Sequence, residues 1–224
     1  MSLKFVAFVA SAAVAAAAGA AIAATVPSQP EWSEAPSVAD VAAAYPAKAR
    51  AAGVSGTVNL TCEIGHDGHP KDCATVTEKP GGYGFGAAAR KVAEGLKVDD
   101  PAMNHRNIFV PVTFDAAVLK GQAMVTKPAW AEMPTAQDFQ ATFPKTQNGV
   151  NDVRVVLGCT VERGGELGGC SVAEETPPGQ GYGAGALALA SKFKVAPWGT
   201  DGAPTVGAHI KLPIHYELTP VKQP

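Results

Sequence analysis

Four cysteines are the residues whose type and spacing most clearly specify a reaction. Cys62 and Cys73 stand eleven positions apart, and so do Cys159 and Cys170. An even number at matched spacing reads as a disulfide framework rather than as nucleophiles. Asp67-Gly68 lies midway in the first pair and Gly164-Gly165 midway in the second, and both dipeptides signal a β-hairpin. Counting outward from Asp67-Gly68 pairs Ile64 with Lys71, Glu63 with Asp72 and Cys62 with Cys73. Opposed residues of an antiparallel ladder have Cα atoms about 4.5–5.5 Å apart, which a disulfide spans without backbone movement. The bridges expected are therefore Cys62–Cys73 and Cys159–Cys170.

Other chemistry is weaker. His66 and His69 flank Asp67, a possible transition-metal site. The second copy of the hairpin carries Arg163 and Glu166 there, and His105, His209 and His215 are scattered, so a solvated turn is expected and no metal site. Gly82, Gly84 and Ala87, like Gly179, Gly181 and Ala184, match the G-x-G-x-x-A dinucleotide fingerprint. An antiparallel hairpin precedes each, however, and Asp99 and Asp100 are answered by Ala196 and Pro197. These glycines read as a tight strand-to-helix turn with an aromatic plug, Phe85 or Tyr182. The sequence holds neither a G-x-S-x-G elbow nor an H-E-x-x-H helix, so no catalytic residue, no enzyme activity and no small-molecule cofactor are expected.

The elements that must position these residues occur twice. An offset of 97 carries the cysteines, Gly84-Phe85-Gly86 onto Gly181-Tyr182-Gly183, and Leu96-Lys97-Val98 onto Phe193-Lys194-Val195. An offset of 98 carries Trp32, Glu34, Pro36, Asp40, Tyr45 and Pro46 onto Trp130, Glu132, Pro134, Asp138, Phe143 and Pro144. This is the signature of a tandem duplication, with domains at 30–118 and 128–219 and a linker at 119–127. Ser37 with Asp40 three residues on suggests a capped helix through Ala44, and a second short helix follows Pro46 and stops at Gly53. Val58, Leu60, Cys62 and Ile64 alternate onto one strand face, as do Val153, Val155, Leu157, Cys159 and Val161. Helices are expected over 86–96 and 183–193, and closing strands over 108–114 and 210–216. The fold class is α+β, each domain a short helix, a β-hairpin, a helix and a closing antiparallel strand. Pro111 and Pro213 mark the closing strands as sheet edges.

The formal charge is −2 with 17% charged residues, which lacks the clustered basic excess of a nucleic-acid-binding protein. Lys4, an apolar run over 5–18 and Ala21-Ile22-Ala23 read as a signal peptide over 1–23, the alternative being an uncleaved inner-membrane anchor. Export suits the cysteines, because disulfides persist in oxidising compartments.

Tyr45-Pro46, Gly56 before the first strand, Asp67-Gly68, Gly84-Phe85-Gly86 and Val110-Pro111-Val112 together resemble the C-terminal domain of TonB energy transducers. The resemblance covers Trp32 to Asp115 and again Trp130 to Leu218. It implies a periplasmic domain that pairs a sheet edge with the TonB box, an extended segment of outer-membrane transporters. The backbone of two edge strands would bind such a partner by strand addition: Ile108, Val110, Val112 and Phe114, and Ile210, Leu212, Ile214 and Tyr216. Such transducers also have an uncleaved membrane anchor and a long proline-rich spacer, whereas here a cleaved signal peptide and only a short segment before Trp32 are expected. The expectation is therefore a periplasmic binding module, with a membrane-anchored transducer and a self-associating structural protein as alternatives.

Overall fold

The computed structural model describes residues 29–143 and 152–217. The expected signal peptide lies outside them. Among the described residues no helix is long and apolar enough to cross a membrane.

The first unit begins with helices α1 (Val38–Ala44) and α2 (Ala47–Ala52). Ser37 caps α1 in a full capping box: its hydroxyl accepts the Asp40 N–H at 3.2 Å, and the Asp40 carboxylate accepts the Ser37 N–H at 2.9 Å. The Ser37 hydroxyl also donates to the Asp40 carboxylate at 2.7 Å, and that bond first, then the one from the Ser37 N–H, holds the Asp40 carboxyl below its ordinary pKa. Gly53 ends α2 in the left-handed conformation. Strands β1 (Gly56–Ile64) and β2 (Pro70–Lys79) follow, then α3 (Phe85–Ala93) and β3 (Asn107–Phe114), and the sheet order is β2-β1-β3. The central strand β1 carries one of the two all-apolar alternate stripes, the other lying on β3. Val58, Leu60, Cys62 and Ile64 pack with Tyr45, Phe85, Ala89, Val92 and Leu96 in one core.

A connection containing β4 (Met124–Val125) leads to the second unit, where the elements recur. They are β5 (Trp130–Glu132), α4 (Ala136–Thr142), β6 (Asp152–Val161), β7 (Leu167–Thr176), α5 (Tyr182–Ala190), β8 (Lys194–Val195) and β9 (His209–Glu217). The sheet order is β4-β9-β6-β7. Thr135 and Asp138 rebuild the capping box on α4, and Val153, Val155, Leu157, Cys159 and Val161 enter a second core with Tyr182, Leu189 and Phe193.

Both expected disulfides form, Cys62–Cys73 with Cα atoms 4.2 Å apart and Cys159–Cys170 at 4.1 Å. The turn-centred count describes the ladder only around the cysteines. At the tip Ile64 faces Pro70 and Glu63 faces Lys71, one residue off the expected register. The turn is not a two-residue Asp-Gly loop but spans 65–69, closed by Gly65 N–H donating to His69 O at 2.8 Å. An irregularity beside Asp72, which sits at φ 51°, then restores the counted register, so that Thr61 faces Ala74 and Leu60 faces Thr75. Gly169, at φ 58°, does the same in β7. The physical reason for the wider turn is tertiary. A Cβ on Gly68 would lie 2.1 Å from the Val98 carbonyl, and one on Gly165 equally close to that of Val195, so each turn is pressed backbone to backbone on the segment after its helix.

Candidate functional site

The two closing strands lie where the sequence puts them, each beside the central strand of its sheet. All eight residues named for the edges have buried side chains: Ile108, Val110, Val112 and Phe114 in the first core, Ile210, Leu212, Ile214 and Tyr216 in the second. In an antiparallel ladder the N–H and C=O of one residue point to the same side and alternate along the strand. Thr113 N–H points away from β1, donating to Gly202 O at 2.7 Å, and His209 N–H points away from β6, donating to Ala123 O at 2.8 Å. The outward backbone groups therefore belong to Phe109, Pro111 and Thr113 on β3 and to Lys211, Pro213 and His215 on β9. Side-chain alternation and backbone alternation share a period of two, so the residues that fill the core are also those that bond the neighbouring strand.

The two edges are not equivalent. On β3 a finger from the second unit occupies the edge. Residues 198–204 fold back on themselves, Gly199 N–H donating to Ala203 O at 2.9 Å, and Trp198 is buried in the core of the first unit. Trp198 Nε1–H donates to Pro111 O at 3.3 Å, and Thr113 Oγ1 donates to Asp201 O at 2.6 Å. Gly202, at φ 78°, passes so close that a Cβ would lie 2.3 Å from the Pro111 oxygen. The same segment reaches α1, where Val38 N–H donates to Val206 O at 2.8 Å. The edge expected to be free at 108–114 is thus already paired from Pro111 to Thr113.

On β9 the short parallel strand β4 covers only the start, Met124 facing His209 and Val125 facing Ile210. Beyond it no strand pairs with the outer side of β9 among the described residues. A groove of about 480 Å³ runs beside this stretch, with Trp130, Met133, Phe139 and Phe193 along it and Lys211 to His215 as its strand wall. A second hollow of about 350 Å³ continues past Phe139 and Phe143 to His215 and Tyr216. Met133 is 62% exposed, an apolar side chain left in solvent at the groove rim.

Below that groove the hydroxyls of Tyr182 and Tyr216 are buried with no hydrogen-bond partner among the described residues. Burial, and secondarily the nearby Tyr182, pushes the Tyr216 phenol up to about 12. A free tyrosine ionises near pH 10. Above that value the unfolded chain releases a proton that the folded chain keeps, so stability falls with rising pH from about 10 to about 12. Tyr216→Phe removes the orphan hydroxyl and the contribution of this group to that slope. Urea unfolding at pH 7 and pH 10.5 is expected to show the variant about 1 kcal/mol more stable at neutral pH, with a smaller loss at high pH. A less stable variant at pH 7 would show that the hydroxyl is satisfied in solution.

The other sequence candidates sort cleanly. The fingerprint glycines Gly84 and Gly181 cap α3 and α5 in the left-handed conformation. The first N–H of each helix is taken by a carboxylate of the preceding strand, Phe85 N–H by Glu78 Oε1 at 3.1 Å and Tyr182 N–H by Glu175 Oε1 at 2.9 Å. The helix starts that would hold a phosphate are thus filled from within. His66 and His69 do not converge, because His69 Nδ1 is engaged 2.8 Å from Leu96 O. His66 instead meets His105.

Trp198 and its finger are not among the residues that the local sequence patterns single out. Their signal was a change of offset: Leu96 maps to Phe193 at 97, whereas Ile108 maps to Ile210 at 102, so the second unit carries five additional residues between helix and closing strand.

Residues 41–117 match the family model described as the Gram-negative bacterial TonB protein C-terminal. Domains of that family are interaction domains of the bacterial envelope that act in transport, contacting outer-membrane transporters or other proteins. An uncharacterized protein of Caulobacter vibrioides (strain ATCC 19089 / CIP 103742 / CB 15) is 33% identical over 63 residues, which is 28% of this chain and 63% of that relative's length. From α1 to the end of β3, the first unit is thus similar to the TonB C-terminal domain of Gram-negative bacteria.

Proposed function

We propose that the protein is a periplasmic binding module that takes up an extended peptide segment, such as the TonB box of an outer-membrane transporter, on the outer edge of β9. The observation that carries this reading is the pairing of an uncovered strand edge with an apolar groove along it. Main-chain hydrogen bonds to Pro213 O and to the His215 N–H and C=O would set the register of an added strand, and alternate side chains of the peptide would enter the groove beside Trp130 and Phe139. The edge of β3 contributes no second site while the finger holds it. The protein is then a one-site adaptor built from two similar units, one closed by the other. Titration of the isotope-labelled chain with TonB-box peptides is expected to shift the amides of Lys211 and His215 and the indole of Trp130, and to leave Thr113 in place. Absence of shifts at millimolar peptide, or shifts centred on the glycine-rich loops at Gly82 and Gly179, would overturn it.

A further inference from the structure

His66 and His105 are 39 residues apart in sequence, yet their Nε2 atoms lie 2.9 Å from each other. Neither position is loose. His66 stands in the closed turn at 65–69, whose Gly68 O accepts the Val98 N–H at 3.0 Å. His105, at φ 59°, donates its backbone N–H to Ile64 O at 2.8 Å, and Ile64 N–H in turn donates to Arg106 O at 3.0 Å. The other ring nitrogen of His105, Nδ1, is 2.7 Å from Glu63 Oε1. With Nδ1–H donated to that carboxylate, the neutral ring presents a lone pair at Nε2, the tautomer that binds a metal, held by the kind of outer carboxylate that orients ligating histidines.

The separation also discriminates between ions. Two imidazole nitrogens each about 2.0–2.1 Å from one cation are roughly 2.8–3.0 Å apart when they are cis in square-planar or octahedral geometry, and roughly 3.3–3.4 Å apart in a tetrahedron. The ring centres are 4.3 Å apart with planes at 85°. That is closer than head-on rings at this nitrogen separation would be, so the rings meet at an angle, as cis ligands must. A small cavity beside His66 is lined by Asp67, Asp99 and Asp100 together with Lys97, whose ammonium is 3.4 Å from Asp99 Oδ1, so two of the three carboxylates there have no lysine partner in that cavity. Among the described residues no group of three or more His, Cys, Asp or Glu side chains forms a ligand set, so water completes the shell.

We propose that His66 and His105 are a surface site for a divalent transition-metal ion of the Cu²⁺ or Ni²⁺ class, with Glu63 as the positioning residue. The ion takes the place of the proton shared between the two Nε2 atoms. The second unit has Arg163 at the place of His66 and Gly207 at that of His105, so the site belongs to the first unit alone.

The test is calorimetric titration of the untagged full chain with CuCl₂ and with NiCl₂ in a non-coordinating buffer, together with electron paramagnetic resonance of the copper-loaded protein. The expected result is one ion per chain with hyperfine structure from two nitrogens. His66→Arg, which copies the hairpin of the second unit, and His105→Ala should each weaken binding at least tenfold, and Glu63→Gln roughly tenfold. His209→Ala should leave it unchanged. Unaltered affinity in the His66→Arg/His105→Ala double variant, or no binding by the wild-type chain at 100-micromolar order, would overturn the assignment.

Discussion

Trp198→Ala is expected to destabilise the first unit by about 3–5 kcal/mol, although Trp198 belongs by sequence to the second. The indole is 3% exposed and packs in the core built by β1, β3 and α3, while its Nε1–H serves the Pro111 carbonyl. Truncation leaves a cavity at a site walled by strands, which cannot collapse easily, and an unpaired carbonyl on the edge of β3. Denaturant unfolding followed by hydrogen exchange should show Thr113 losing protection early, while Val155 and Leu157 in the second sheet keep theirs. The same variant frees the edge of β3, so TonB-box peptide is expected to shift Thr113 as well as His215. An unchanged unfolding midpoint with Thr113 still protected would show that the finger is not a structural part of the first unit.

Replacing both cysteines of one pair by alanine is expected to cost about 2.5–3 kcal/mol in its own unit and to leave the core of the other nearly untouched. Each bridge closes a loop of sequence separation 11, and restricting a loop of that size in the unfolded chain is worth about that much in the chain-entropy account. The half-cystines on the central strands are buried, Cys62 at 1% and Cys159 at 3%, so alanine there also removes a packed sulfur. A unit of this size buries a modest core, so the loss is a large fraction of its stability. Unfolding of the Cys62→Ala/Cys73→Ala protein should split into two transitions, the first lowered and the second in place. One transition that moves as a whole would mean that the finger couples the units more strongly than either bridge stabilises one.

Unlike β4, β5 and β8, the capping box of α1, the buried stripes, the two disulfides and the order of the long strands and the helix between them were determined by the sequence alone. Each is local or periodic. Ser37 and Asp40 are one helical turn apart, Val58 to Ile64 repeat every second residue, and Cys62 and Cys73 face each other across a single hairpin. Their physics acts within about a dozen residues, and any fold that keeps the hairpin must keep it. The asymmetry between the two edges was decided only by the tertiary structure. Pro111 and Pro213 look alike as sequence, since nothing near either residue says that five extra positions before β9 will fold into a finger that covers β3. The register at the hairpin tip is of the same kind, because Gly68 yields to the backbone of Val98, and so is the meeting of His66 with His105 across 39 residues. Contacts of that range form only after the strands have been ordered side by side. The outcome there depends on which surfaces remain uncovered, and local pattern does not carry that information.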